Sequence, residues 1–102
     1  MEKEIINDWK QLIEEFTHEK FSKLSENSSD IAIHYYGNTT KEDYSFCLTN
    51  SYLQFQNYYT DFDVWLDYIF DMWLNEEGLT ITFKNSKNNT SMFRILNTQV
   101  GK

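Results

Sequence analysis

Residues 60–78 read TDFDVWLDYIFDMWLNEEG, and the way this stretch folds decides the architecture. Phe62, Trp65, Leu66, Ile69, Phe70 and Trp73 recur at helical spacing and would form one wide apolar arc. Asp63, Asp67 and Asp71 return every fourth residue and would lie roughly opposite that arc, edged by Val64, Tyr68 and Met72. Thr60 or Asp61 is placed to cap the start, and Gly78 to end the segment in the left-handed conformation. The spacing therefore predicts an amphipathic helix with an acidic ridge along its exposed strip.

Upstream, residues 3–24 predict a first helix. Ile5, Ile6, Trp9, Leu12, Ile13, Phe16 and Leu24 fall on one face, while Glu4, Asp8, Gln11, Glu15, Glu19 and Ser22 form a second stripe beside it. Like charges at i, i+4 cost a few tenths of a kcal/mol each, so a stripe of one sign is a first hint of use. After the loop SENSSD (25–30), the runs IAIHYYG (31–37), YSFCLT (44–49) and YLQFQ (52–56) alternate as strands. The turn region NTTKED (38–43) and the tight turn Thr49-Asn50-Ser51 make them an antiparallel meander. Beyond residue 78, LTITFK (79–84) and TSMFRILN (90–97) flank an Asn-rich turn. The expected fold is one α+β domain over residues 1–102, in the order α-β-β-β-α-β-β. It has a mainly antiparallel five-stranded sheet, two helices on one face, and the other face open to water. His34, Tyr36, Ser45, Gln54, Thr80, Thr82 and Lys84 would point outward.

A chain of 102 residues, 40% hydrophobic and 18% aromatic, has material for one well-filled core. Sixteen acidic residues against nine basic ones give a net charge of -7. That sign opposes nucleic acid and anionic membranes and favours encounter with basic partners, although it also serves solubility. Phosphate contacts need Lys and Arg, and Arg94 is the single arginine. Cys47 is the only cysteine, so no internal disulfide forms. The first ten residues, MEKEIINDWK, lack a basic segment followed by an apolar run, and no apolar stretch reaches spanning length. The expected location is cytoplasmic.

No catalytic set emerges. The glycines, Gly37, Gly78 and Gly101, do not make a phosphate loop. His18, His34 and Cys47 lack the clustering that a metal needs. Cys47 and His34 are expected to be neighbours on the outward face, but nothing supplies an oxyanion donor or an orienting third residue. A packed, inert cysteine is the stronger reading. A ligand pocket lined by Tyr35, Tyr44, Trp65 and Trp73 is the enzymatic or small-ligand alternative, and core packing is the stronger reading there too. The chain is expected to be no enzyme and to hold no cofactor and no metal.

What remains is a protein-binding surface. Asp63, Asp67, Asp71 and Tyr68 on the ridge, with the pairs Glu42-Asp43 and Glu76-Glu77, suit a basic pocket: the charges steer and the aromatic body supplies contact area. Glu4, Asp8, Glu15 and Glu19 on the first helix are the second choice. In size, acidity, aromatic content, absence of proline and absence of a catalytic set, the chain resembles bacterial immunity proteins of the contact-dependent inhibition type. The resemblance implies a small inhibitor that neutralises a cognate basic, nuclease-type toxin by occupying its active-site cleft. The runner-up is a phage-encoded acidic protein that mimics DNA, of the anti-CRISPR or anti-restriction kind. Gene neighbourhood separates the two, a toxin gene against a phage operon.

Overall fold

In a computed structural model that describes residues 3–37 and 43–101, one α-helix is followed by eight strands. The helix is α1 (Lys3–Thr17). The strands β1 (Ser22–Lys23), β2 (Ile31–Tyr35), β3 (Tyr44–Leu48), β4 (Tyr52–Asn57) and β5 (Asp61–Trp65) form a sheet in that order. A second sheet holds β6 (Ile69–Leu74), β7 (Gly78–Lys84) and β8 (Thr90–Leu96). Every pairing is antiparallel. The α+β class holds, but the expected second helix and single five-stranded sheet do not: among the described residues there are one α-helix and two sheets.

The correction falls on residues 60–78. Between Thr60 and Asn75 the chain has no Ala, Glu, Gln, Lys or Arg, and Leu66, Met72 and Leu74 are its only strong helix formers. It is rich instead in the aromatic and β-branched residues that suit a pleated, half-buried surface. Asp61, Asp63 and Trp65 are exposed while Phe62 and Val64 face inward, a period of two. The side chain of Asn57 starts the hairpin that aligns β5: its Oδ1 accepts the backbone N–H groups of Tyr59 (2.9 Å) and Thr60 (2.7 Å). A 3-10 turn, Leu66–Tyr68, then carries the chain from one sheet to the other, anchored by buried Leu66, whose N–H donates to the Ser51 carbonyl at 2.8 Å. In β6 an extra residue opens a bulge between Ile69 and Asp71, so that both Phe70 and Asp71 reach solvent. Gly78 is no helix cap. It opens β7 opposite Leu96, where a Cβ would run into the Ile95 carbonyl.

The first helix is shorter than its apolar spacing predicts. His18 takes a left-handed conformation (φ 59°) just beyond Thr17, and its N–H closes the last turn on the Glu14 carbonyl at 2.9 Å. Glu14, half-buried, accepts the Phe21 N–H at 2.9 Å and holds the chain as it turns back. Residues 22–23 thus become β1 beside β2, and Leu24, counted on the helix face, is exposed.

One core joins the three layers. The inward rows of the larger sheet are Ile31, Leu48, Leu53, Val64 and Ile33, Phe46, Phe55, Phe62. Phe62 stacks on Phe93 of β8 with centroids 4.0 Å apart, which ties the sheets together. Trp9, Ile13 and Phe16 of α1 join the same cluster, with α1 packed on β6 and β7. Each such ring or aliphatic chain is worth roughly 1.5–3 kcal/mol on full burial. Thr80, expected to point to water, is fully buried, and its hydroxyl accepts from Arg94 Nε at 3.1 Å.

Buried Tyr44 lies against Tyr35 (centroids 5.1 Å apart), and its phenol is pushed up to about 12 by burial, then by Glu19 and Tyr35. A phenol whose pKa is raised on folding stabilises the fold fully below its unfolded value near 10, and this contribution is lost as pH climbs through the folded value. Denaturation at stepped pH should therefore show stability falling between about pH 10 and 12. Tyr44→Phe should flatten that part of the fall.

Candidate protein-binding face

The sheet register sets the outward face of β2–β5. One row runs Ala32, Cys47, Gln54, Asp63 and the next His34, Ser45, Gln56, Asp61, with Tyr52 beside Trp65 at one end. Apart from Ala32, these side chains are exposed or half-buried. None of the four strands carries Lys or Arg, and from residue 42 to residue 83 the sequence has neither. The cations lie elsewhere along the chain, as on α1 and the segment after it, at Lys84 and Lys87, and at Arg94. The open face is therefore polar, acidic and aromatic, with no Lys or Arg on its four strands.

Tyr52 and Trp65 meet edge to face, centroids 6.2 Å apart at 84°. Beside them a cleft of about 270 Å³ is lined by Tyr52, Gln54, Asp63, Val64 and Trp65. A shallower hollow of about 400 Å³, towards the other end of the strands, is bordered by His34, Tyr36, Asp43, Gln56 and Tyr58 among others. Cys47 faces the first region. Its thiol is pushed up by burial and then by Asp30, partly offset by a hydrogen bond with Tyr52. The Tyr52 phenol is pushed up in turn, first by Cys47, then by burial, with Asp30 and Asp63 contributing. Both shifts hold the groups neutral, as an anionic surrounding does. They run opposite to the lowered pKa of a nucleophilic thiolate. His34 does share the outward face with Cys47, but it stands opposite Ser45, one row away. Among the described residues no group of three or more His, Cys, Asp or Glu is placed to hold a metal ion.

The acidic ridge expected on one helix is not formed. Asp63 lies on β5, Asp67 in the 3-10 turn and Asp71 at the β6 bulge. Asp71 Oδ1 accepts the Met72 N–H at 2.8 Å, and Asp67 also has an interaction of its own. The Tyr68 ring sits under Lys84 Nζ at 5.9 Å. Glu77 is paired with Arg94 at 2.7 Å, and Asp43 accepts the Gly37 N–H at 2.7 Å. Glu76 is exposed between β6 and β7, and Glu42 falls outside the described residues. Of the second-choice set, Glu4, Asp8 and Glu15 are exposed on α1, and Glu19 lies beyond its end. The pocket lining Tyr35, Tyr44, Trp65 and Trp73 is not assembled either. Tyr44 is buried in the core beside Tyr35, Trp65 points outward from β5, and Trp73 belongs to the other sheet.

Of the expected set, Asp63 thus lands on the open sheet face, and Asp43 borders the hollow towards its other end. The side chains around the former, Tyr52, Gln54, Asp61 and Trp65, were missed by sequence reasoning. Their signal was the alternation in DFDVW, which places Asp61, Asp63 and Trp65 on one side of a strand. Among the described residues no helix is long and apolar enough to cross a membrane. Comparison of the chain with protein-family profiles, with characterised proteins and with solved structures gave no match, so its function is read from the chemistry of this face.

Proposed function

We propose that the chain is a small acidic inhibitor that binds a basic protein through the outward face of β2–β5, as a bacterial immunity protein occupies the cleft of a nuclease toxin. The observation that carries the reading is an uncovered sheet face bearing Asp61 and Asp63 beside Trp65 and Tyr52, without a Lys or Arg. Clustered carboxylates attract a basic partner and fix its orientation, and half-exposed aromatic rings are the usual anchors of such contacts. A nucleic-acid mimic calls instead for an extended row of carboxylates, and Asp63, Asp67 and Asp71 sit on three different elements.

The test is rapid-mixing association with the product of the gene beside the chain's own, which the proposal expects to be a basic, nuclease-type protein. The on-rate should fall steeply between about 0.05 and 0.5 M salt, as the screening length shrinks below 10 Å. The off-rate should change far less. A flat on-rate removes charge steering, and failure to form a complex at low salt removes the proposal.

A further inference from the structure

The cleft beside Tyr52 and Trp65 is small and open to solvent. At about 270 Å³ it lies below the roughly 300–1,000 Å³ of small-molecule sites. It is open along one side of β4–β5 and offers room for a single long side chain. Three features converge there. Two aromatic rings meet nearly at a right angle, at 84°, and form a corner against which a planar group can lie. The exposed Asp63 carboxylate stands two residues from Trp65 on the same side of β5, with no hydrogen bond or ion pair to another described residue. Gln54, cross-strand to Asp63, adds its side-chain amide to the same wall.

We infer that this cleft, lined by Tyr52, Gln54, Asp63 and Trp65, is the seat for one arginine side chain of the basic partner. The inference rests on the docking function proposed above and names its anchor. A guanidinium is flat, stays charged, stacks on aromatic rings and offers its N–H groups in a fork that matches a carboxylate. Lysine is a compact, strongly hydrated point charge and uses neither the corner nor the fork. The surrounding field favours a cation, since Asp30 and Asp63 both help to keep the Tyr52 phenol neutral.

The chain carries its own reporters: Trp9 is buried in the core, Trp73 lies on the second sheet, and Trp65 is 58% exposed at the cleft. Isotope-labelled protein is titrated with the blocked tripeptide Gly-Arg-Gly, with its lysine and citrulline counterparts, and with tetramethylammonium. The Trp65 indole N–H and the Gln54 and Asp63 amides should shift saturably with the arginine peptide. The indoles of Trp9 and Trp73 should stay still. Citrulline should produce no shift, and lysine and tetramethylammonium should bind at least threefold more weakly. Asp63→Asn, an exposed change, should weaken the arginine response about tenfold in a protein whose spectrum is otherwise unchanged. An unmoved Trp65, an equal response to citrulline, or equal binding of all cations overturns the assignment. A hepta-arginine peptide separates this from the broader reading. If it shifts other outward amides of β2–β5 while Trp65 is still, the anchor is wrong and the docking face survives. If it leaves the whole face unmoved, both fall.

Discussion

Gly78→Ala is expected to lower stability by about 2–4 kcal/mol. Gly78 is buried at the start of β7, paired with Leu96 at φ 156°. The backbone carbonyl of Ile95 and the Leu96 Cα occupy the space that a Cβ would take. No flexible side chain can move aside, so β8 itself would have to shift. Asn75 prepares this site: its Oδ1 accepts the Glu77 N–H (2.8 Å) and the Gly78 N–H (3.1 Å), and its own N–H donates to the Gly78 carbonyl at 3.0 Å. Urea denaturation should show a lower midpoint with a similar slope. A midpoint within experimental scatter of the parent would mean that β7 and β8 do not approach as described.

Trp65→Ala should do the reverse, sparing the fold and disabling the interaction. Its indole is mostly exposed and meets Tyr52 alone among the aromatic rings. Losing that contact costs stability only about 0.5–1.5 kcal/mol. Central aromatic anchors of protein interfaces typically cost 2–4 kcal/mol when truncated, which is roughly a 30- to 1,000-fold loss of affinity. Phe70→Ala is the matched control, since Phe70 is 60% exposed but stands at the bulge of the other sheet. Calorimetric titration of the basic partner should separate the two variants. Equal losses would argue that any exposed ring matters and that the face has no special standing.

Much of the fold was legible because strands declare themselves by alternation. The meander from residue 31 to residue 57 and the hairpin from residue 78 to residue 96 follow directly from it. Residues 60–78 misled because four is an even number. Aspartates at 63, 67 and 71 fall near one face of a helix, and the same spacing also keeps a strand's phase. Two further signals pointed to strands: the strict Asp-Phe-Asp-Val alternation at 61–64 and the scarcity of strong helix formers, with only Leu66, Met72 and Leu74 between residues 60 and 75. The end of α1 was misread for a related reason. Leu24 continues the helical arithmetic, but the left-handed turn at His18 had already broken it.

The candidate site was legible only in part. Asp63 was within reach of the sequence, whereas Trp65 and Phe62 look alike in a pattern of apolar residues and only the pleat separates them. Other expected acidic residues dropped out through partners that a sequence does not reveal, such as Arg94, seventeen positions from Glu77.

In the proposed function the acidic open face of the larger sheet, and not the acidic stripe of α1, meets the partner. Two charge-neutralised proteins, compared for affinity to the same basic protein, separate these faces. One carries Asp61→Asn and Asp63→Asn. The other carries Glu4→Gln, Asp8→Asn, Glu15→Gln and Glu19→Gln. All six residues are exposed, so thermal stability should move little in either protein. The β5 pair should weaken binding about tenfold or more, while the α1 set should change it less than about threefold. Loss of binding on neutralising α1, with the β5 pair unaffected, would contradict that choice of face.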